Sequence, residues 1–418
     1  MLCTPAAGAA GLFGGRGGGG AGIGGAIFMD SGLLEVIDCT LASNRVVGGN
    51  EGGSALGGAL YIGGGTVLVT NSTIIGNQLE TGEGGTYELG HFGLPAGDAL
   101  GAGIYVHRGV VAVANSTLAG NSLKSGDGGS GSRGAGDAGR AAGAGLYVEG
   151  GGVSGINVTV SSNQAEAGNN GVDGRSGWGV AWGGSASGAG VCVWTGVVSL
   201  VNSTLTLNQA VGGLGIPRGY RTWDLRGGGC GGLVNGRGTV RLLNTIIANN
   251  GARWTSNSVQ DAGGSLLSDG FNLVGDTNGA TGFLSNDLVN AWPSLGPLQF
   301  NGGPTLTHAL MPGSSAIDAG TAVGAPLTDQ RGFPRPAGRG YDIGAYEYRS
   351  AYETIQSIDG KALVLFVTEP NLSYQVQAAS DLFDWQTIAT APASTNGQFL
   401  LQEPLQPLPS FYRAALPP

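Results

Sequence analysis

Basic residues are scarce in this sequence. Of 418 residues, 19 are Lys or Arg against 28 Asp or Glu, so the formal net charge is -9, and Lys occurs only at positions 124 and 361. A protein that reads a nucleic-acid backbone needs a Lys- and Arg-rich surface, so we expect no nucleic-acid partner. Long apolar runs are also missing. Since a membrane-spanning helix needs roughly 20 consecutive apolar residues, we expect no transmembrane segment.

Cysteine and histidine are equally sparse. The four Cys residues form no CxxC pair, and the three His residues lie in different contexts. A disulfide framework and a zinc site are therefore not indicated. Asp127, Asp137 and Asp173 lie in Gly-rich stretches that resemble calcium-binding β-rolls, but the repeated calcium-binding nonapeptide is missing. We expect no resident metal or cofactor, with Ca²⁺ as the less favoured alternative.

Glycine is abundant and a short phrase recurs. The chain holds 85 Gly without a period of three, which excludes collagen. The phrases TNSTIIGNQ, ANSTLAGNS and VNSTLTLNQ begin one residue before Asn71, Asn115 and Asn202. Asp38, Asn157 and Asn244 begin weaker copies. Six residues after each of these anchors stands a second Asn, at positions Asn44, Asn77, Asn121, Asn163, Asn208 and Asn250.

Within each copy the apolar residues alternate with a period of two. Aliphatic residues stand eleven and nine residues before the anchor, as in Ile104 and Val106, and again four and two residues before it, as in Val111 and Val113. This alternation is typical of strands, and both Asn positions can form bends because Asn tolerates the left-handed conformation. Three short strands per copy predict an all-β, right-handed parallel β-helix over residues 1–275, in which stacked Asn side chains form a hydrogen-bonded ladder.

The spacing between copies varies. Successive anchors lie 33 to 45 residues apart, and the longer copies carry Gly-rich stretches between the second Asn and the next Gly-Gly. Because these inserts always leave at the same corner, we expect them on one side of the helix. They form either stacked lateral loops or additional Gly-rich coils.

The segment after the repeats carries a family resemblance. The phrases LGPLQFNGGPTLTHALMPGSSAIDAG (295–320) and TDQRGFPRPAGRGYDIGAYEY (328–348) resemble the closing segment of bacterial choice-of-anchor Q proteins, which are similar to polymorphic outer-membrane proteins. The resemblance covers about residues 20–348. It implies an exported, usually surface-associated right-handed β-helix, and it supplies no catalytic residues.

The two ends of the chain differ from the repeats. Residues 352–418 contain little Gly and five strand-like runs, and they resemble a small β-sandwich-like module found at the C-termini of exported proteins of the Verrucomicrobia and Planctomycetes type. The first twenty residues lack a basic n-region and an apolar core, which a secretory signal peptide needs. We therefore expect the chain to be N-terminally truncated, with an export signal upstream.

The acids of the closing segment, residues 276–349, are interpreted as structural. We expect a hydrogen-bonded cap that holds irregular chain over the end of the core. Its members are Asp318, Asp329, Arg331, Asp342 and Glu347. No Asp-Asp doublet or other carboxylate pair points to acid–base hydrolysis. We therefore predict no catalytic residue.

One outward column is aromatic. Ten residues before the anchor stand Phe28, Tyr61, Tyr105 and Tyr147 in successive copies. Two inserts add further aromatic and Arg residues, namely Trp178, Trp182, Tyr220, Trp223, Arg218 and Arg221. Exposed rings with Arg are typical of a face that binds glycans or proteins. The interpretation that we favour for these rings, however, is that the inserts fold back and bury them as a satellite core.

The sequence therefore predicts an exported, monomeric β-helix protein at the cell surface or outside the cell. We expect an adhesin-like scaffold that binds glycans or proteins. The alternative is a polysaccharide lyase or glycoside hydrolase whose site lies in the inserts or in preceding coils.

Overall fold

The computed structural model describes residues 2–3, 19–87, 91–171, 183–215, 229–253, 260–349, 352–358, 361–367, 373–379, 384–392, 398–404 and 411–415. In these residues every regular element is a β-strand, and strands at equivalent positions of successive repeats pair in parallel. The predicted parallel β-helix is confirmed. Each coil contributes short strands to four columns, here called sheets 1 to 4 in chain order within a coil.

Sheets 1 and 2 precede the anchor Asn. Sheet 1 contains the strands Gly22–Ile23, Ala55–Leu56, Ala99–Leu100, Ala141–Ala142 and Ala186–Ser187. Sheet 2 contains Ile27–Met29, Leu60–Ile62, Ile104–Val106, Leu146–Val148, Val191–Val193, Leu233–Asn235, Ala262–Ser265 and Ala280–Thr281.

Sheet 3 has two limbs, one on each side of the anchor. The first limb contains Leu33–Ile37, Thr66–Thr70, Val197–Val201, Thr239–Leu243 and Leu267–Gly270, and the second contains Thr40–Ala42, Thr73–Ile75, Thr204–Thr206, Ile246–Ala248, Leu273–Val274 and Leu288–Val289. The strands Val110–Ala119 and Gly152–Ser161 run through both limbs.

Sheet 4 follows the second Asn of each copy. It contains Leu2–Cys3, Arg45–Val47, Gln78–Glu80, Ser122–Lys124, Gln164–Glu166, Gln209–Val211 and Gly251–Arg253. A complete coil therefore has five strand segments, whereas the sequence pattern predicted three. Sheets 1 and 4 were missed because their inward residues are mostly Ala or a single aliphatic residue, which gives a weak alternation signal.

The bore has two apolar compartments. Leu, Ile and Val side chains from sheets 2 and 3, such as Leu60, Val67 and Ile104, form one continuous buried cluster. A second, Ala-rich cluster around Leu79 and Leu123 lies between sheets 1 and 4. Because the side chains there are small, the backbones of sheets 1 and 4 approach each other closely. The cross-section of the coil is therefore narrow between these two sheets.

The two Asn columns have different roles. The anchors Asn71, Asn115 and Asn202 have φ of 49°, 49° and 45°, so they turn the chain as predicted. The second Asn of each copy does not have a positive φ. The residue before it does, as in Ser43 and Gly76. Because the preceding residue makes the turn, the side chain of the second Asn can point inward, where it takes part in the Asn ladder.

The inserts are held by hydrogen bonds between their outgoing and returning legs. Gly82 donates to Gly53 O at 3.0 Å, Gly97 to Gly82 O at 3.2 Å and Gly139 to Gly126 O at 3.1 Å. The legs pack so closely that a Cβ on Gly139 would lie 1.9 Å from Gly97 O. Of the two alternatives, the described inserts are stacked legs along one corner, without strands that complete a further coil. Their Gly content follows from this backbone contact.

Residues 295–347 lie along the flank of the helix. Leu295–Gln299 pairs antiparallel with Thr307–Leu310. Irregular chain then bonds to successive coils, from Thr305 Oγ1 donating to Asn115 O at 3.0 Å to Asn244 Nδ2 donating to Thr321 O at 2.8 Å. The acids that were expected in a cap over the end of the core lie in this flank segment instead. The outward Thr and Ser hydroxyls of sheet 3 offer bonding partners on the side, which the aliphatic end of the bore does not.

The C-terminal residues form two small antiparallel sheets. One contains Tyr352–Ile358, Lys361–Val367 and Gln398–Pro404, and the other contains Gln386–Ala391, Tyr374–Ala379 and Phe411–Ala415. Val364, Phe366 and Leu401 of the first sheet share a buried cluster with Tyr374 and Val376 of the second. This second β module matches the architecture expected for residues 352–418.

Candidate functional site

An apolar crease lies outside the bore, where sheet 1 bends into sheet 2. The bend contains Gly101, whose φ is 70° and whose Cβ would lie 2.8 Å from Tyr105 Cβ. At this bend the outward side chains of the two sheets face one another, so that Leu100 and Ala142 pack against Tyr105 and Tyr147. We call this feature the aromatic crease. Its floor residues are Leu56, Tyr61, Leu100, Tyr105, Ala142, Tyr147 and Cys192.

The aromatic side chains form a column along the crease. Phe28 and Tyr61 stack with ring centroids 5.1 Å apart, Tyr61 and Tyr105 also at 5.1 Å, and Tyr105 and Tyr147 at 5.4 Å. The planes differ by 5° to 16°. The spacing follows from the in-register pairing of Phe28, Tyr61, Tyr105 and Tyr147. Each inner ring therefore has neighbours on both faces.

Exposure changes strongly along this column. Phe28 is 56% exposed and Tyr61 is half-buried, whereas Tyr105 and Tyr147 are only 4% and 3% exposed. The column is outward and stacked, as the sequence indicated. Tyr105 and Tyr147, however, belong to a satellite core, because Leu100 and Ala142 cover them. The accessible part of the aromatic column is its first two rings.

A hydrogen-bonded polar group lies beside the aromatic column at Tyr105. Glu149 Oε2 accepts the Tyr105 hydroxyl at 2.5 Å and lies 2.5 Å from His107 Nδ1. Burial opposes ionisation of Glu149, but the hydrogen bonds from Tyr105 and His107 leave its pKa below the ordinary value. Burial, and then the bond to Glu149, raise the pKa of Tyr105. Glu149 is therefore an ionised acceptor, and Tyr105 remains a neutral donor.

Tyr61 connects this polar group to the open end of the crease. Burial raises its pKa, and the charges of Glu149 and Asp30 raise it further. Its hydroxyl therefore stays protonated and lies in a region of negative potential.

Arg side chains and an indole form the rim of the buried part. Arg140 Nη2 and Nε donate to Asp98 Oδ2 at 2.8 and 3.0 Å. The Arg140 guanidinium lies 5.7 Å from the centroid of the Trp194 ring, and that of Arg237 lies 5.4 Å from it. Tyr147 and Cys192 beneath this rim are only 3% and 4% exposed, so their side chains are not accessible to a sugar.

Glu149, Arg140, Trp194 and His107 were not among the binding residues predicted from the sequence. A signal did exist. His107, Glu149 and Trp194 stand eight residues before their anchors, which is the next outward position of the strand that carries the rings. Trp178, Trp182, Tyr220, Trp223, Arg218 and Arg221 lie outside the described residues.

The predicted Asn ladder is formed by side-chain amides in successive coils. Asn121 donates its backbone N–H and its Nδ2 to Asn163 Oδ1 at 3.0 and 2.9 Å, and Asn163 donates in the same way to Asn208. The same pair of bonds joins Asn44 to Asn77, Asn77 to Asn121 and Asn208 to Asn250. These buried polar groups have a structural role.

The closing-segment acids form a buried ion-pair network. Arg331 Nε donates to Asp329 Oδ2 at 2.8 Å, and Arg335 Nη1 donates to Glu347 Oε2 at 2.6 Å. The Arg331 guanidinium also lies 3.4 Å from the centroid of the Tyr346 ring. Both ion pairs have fully buried side chains. Since substrate has no access to them, they form a structural core of the closing segment.

Asp342 and Asp318 complete the network. Asp342 Oδ1 accepts the Asp318 backbone N–H at 2.7 Å, and Asp318 Oδ1 accepts that of Gly340 at 2.8 Å. Burial, and then the charge of Glu347, raise the pKa of Asp342 to about 7.

Among the described residues, no group of three or more His, Cys, Asp or Glu side chains is placed to hold a metal ion. In the same residues no helix has the length and apolar character needed to cross a membrane. Comparisons with protein-family models, curated proteins and solved structures found no match to this chain.

Proposed function

We propose that this protein is an exported β-helix scaffold at the cell surface or outside the cell, and that the open end of its aromatic crease binds glycans. The observation that carries this proposal is the exposure of Phe28 and Tyr61 at the end of an otherwise buried ring column. Neighbouring aromatic rings that remain exposed to water are typical of binding surfaces.

The surroundings of these rings suit a sugar. Apolar C–H groups of a pyranose pack on aromatic rings, and its hydroxyls need hydrogen-bond partners beside them. The Tyr61 hydroxyl is a neutral donor, and Asp30 lies close enough to influence its pKa. Asp30 is exposed and can accept from a sugar hydroxyl. A rigid β-helix holds these groups at fixed spacing, which favours the repetitive surface of a polysaccharide.

The alternative is a polysaccharide lyase or glycoside hydrolase. Hydrolysis of a glycosidic bond needs two carboxyl groups roughly 5–10 Å apart, one of them available as an acid. In the described part of the crease, Asp98 is paired with Arg140, and Glu149 is held by His107 and Tyr105. Glu149 is stabilised in the ionised form and Asp98 is occupied by Arg140, which suits binding better than acid catalysis.

A glycan-array screen of the full chain, combined with a reducing-sugar release assay on the same polysaccharides, tests the proposal. We expect binding without release, and we expect Phe28→Ala and Tyr61→Ala each to weaken binding at least tenfold, with little change in stability for Phe28→Ala. Phe92→Ala is the matched control, because Phe92 is 62% exposed but lies in an insert. Sugar release would favour the enzyme instead.

The insert aromatics proposed from the sequence are tested in the same screen. Loss of glycan binding in Trp182→Ala and Trp223→Ala, with Phe28→Ala unaffected, would place the site in the inserts and reject the crease. Absence of binding to any glycan, with the fold intact by circular dichroism, would reject glycan binding altogether.

A further inference from the structure

The first limb of sheet 3 has a flat outward face. Its strands pair in register over six coils, so the outward residues form three columns, here called the flat face. The first column is Leu33, Thr66, Val110, Gly152, Val197 and Thr239. The second is Glu35, Leu68, Ala112, Ser154, Ser199 and Arg241. The third is Ile37, Thr70, Ala114, Ile156, Val201 and Leu243.

The flat face is apolar and open. Leu33 is 67% exposed, Val110 59%, Val197 51%, Ile37 49% and Ile156 38%. Its charged residues stand at opposite ends of the central column, with Glu35 in the first coil and Arg241 in the sixth. Apolar residues stand in each of the six coils, interrupted by Thr, Ser and Gly, and an exposed patch of this kind is typical of protein–protein contacts.

In place of the monomer expected from the sequence, we propose that the flat face pairs with the flat face of a second copy of this chain, with the two helix axes antiparallel. A two-fold axis along the strand direction, between the third and fourth coils, sets each column against itself in reversed order. Glu35 of one copy then faces Arg241 of the other. Arg241 already donates to Asp269 at 3.1 and 2.5 Å, so Glu35 would become a second carboxylate on the same guanidinium.

Residue sizes also match in this orientation. Val110 faces Gly152, Leu68 faces Ser199, and Ile156 faces Ala114 in the opposing copy. Large side chains thus meet small ones through the centre of the interface, as interdigitated packing requires. The other two-fold orientation, with parallel axes, sets Glu35 against Glu35 and Arg241 against Arg241. That arrangement places like charges opposite each other and is disfavoured.

The area of the flat face limits the affinity of the proposed dimer. Six strands roughly 4.8 Å apart and five residues of roughly 3.3 Å each give a footprint of about 400 Å². Stable interfaces bury about 800 Å² per partner. Val323 and Leu327, which are 81% and 78% exposed, enlarge the apolar area beside Leu243, since a Cβ on Gly324 would lie 2.9 Å from Leu243 Cδ2. We therefore expect a concentration-dependent dimer.

Sedimentation equilibrium of the full chain over a range of concentrations tests the dimer. We expect a mass that rises from 41.5 kDa towards twice that value. Ser154→Arg, at the centre of the flat face, should raise the dissociation constant at least tenfold. Gln164→Arg is the matched control, because Gln164 is exposed in the same coil but on sheet 4. A monomer at every concentration, or a dimer that Ser154→Arg leaves unchanged, would overturn the proposal.

Disulfide trapping tests the orientation. In a Cys39→Ser background, Glu35→Cys combined with Arg241→Cys should form a crosslink between positions 35 and 241. Because these positions are five coils apart in one chain, that crosslink can form only between copies. The single Glu35→Cys variant should stay uncrosslinked. A crosslink between two copies of position 35 would show the parallel arrangement and reject the antiparallel one.

Discussion

Asn250 donates both its backbone N–H and its side-chain amide to Asp261 Oδ1, each at 2.8 Å. This relationship ends the Asn ladder. Each ladder Asn accepts from the preceding coil and donates to the next, whereas Asp261 Oδ1 only accepts from Asn250. The Asn column therefore runs in one direction along the helix and stops at a carboxylate. Asn272 donates in the same way to Asp287 Oδ1 at the end of a neighbouring column.

Interrupting the ladder should destabilise the helix strongly. Asn163→Ala leaves the backbone N–H of Asn121 without an acceptor and leaves Asn121 Nδ2 with Ile74 O alone, and both donors are buried. Each unsatisfied buried donor costs roughly 1–3 kcal/mol, so we expect the free energy of unfolding to fall by roughly 2–5 kcal/mol. Urea denaturation followed by circular dichroism measures this loss. Asn278→Ala, at an exposed position, is the control, and an equal loss there would contradict the role of the ladder.

Close contact between the insert legs should make particular Gly residues irreplaceable. A Cβ on Gly139 would lie 1.9 Å from Gly97 O, which is a backbone atom that cannot move alone. We expect Gly139→Ala to lower the melting temperature by several degrees, since overpacking typically costs roughly 1–3 kcal/mol. At Gly251 a Cβ would meet only Gln209 Cγ, at 3.9 Å. Gly251→Ala should therefore leave the melting temperature nearly unchanged. Equal effects of the two variants would show that the legs do not pack in this way.

Much of this architecture followed from the sequence. The period of two in Ile104 and Val106, repeated once per coil, predicted inward strands, and the recurrent second Asn predicted a ladder. The flank position of the closing segment could not be predicted, because contacts such as Gln330 with Thr159 join residues 171 positions apart and leave no periodic signal. The burial of Tyr105 depends on Leu100 across a Gly bend, whose angle the sequence pattern does not encode.

Asp342 should make stability depend on pH. Its pKa in the folded protein is raised to about 7, mainly by burial, whereas an Asp in an unfolded chain titrates near roughly 4. Between about pH 4 and pH 7 the folded protein therefore binds a proton that the unfolded chain releases. This group makes the free energy of unfolding rise as the pH falls through about 7, with a slope of at most about 1.4 kcal/mol per pH unit.

The Asp342→Asn variant should lack this contribution, because an amide does not ionise. We expect its stability relative to that of the original chain to be highest at about pH 8 and to decline towards about pH 5, as measured by urea denaturation. Burial lowers the pKa of His308, which gives a dependence of opposite sign, but that dependence is common to both proteins and cancels in the comparison. A difference between the two proteins that is independent of pH would show that Asp342 titrates normally.

In the second limb of sheet 3, outward Thr residues form a column. Their hydroxyls should contribute to the free energy of unfolding only in the coils that the closing segment covers. Thr159 Oγ1 donates to Gln330 Oε1 at 2.6 Å, and Gln330 Nε2 donates to Thr117 Oγ1 at 2.9 Å, so one amide joins two coils. Thr73 occupies the same column and pairs in register with Thr117, but it is only half-buried.

Thr159→Val keeps the shape of the side chain and removes the hydroxyl, which leaves the buried amide of Gln330 with one partner fewer. We expect it to cost roughly 1–3 kcal/mol and to speed amide hydrogen exchange in residues 295–349. Thr73→Val, the matched variant, should change the free energy of unfolding by less than about 0.5 kcal/mol. Faster exchange confined to residues 295–349 in Thr159→Val would show that the closing segment detaches locally. Uniform destabilisation by both variants would show that this column contributes through strand packing alone.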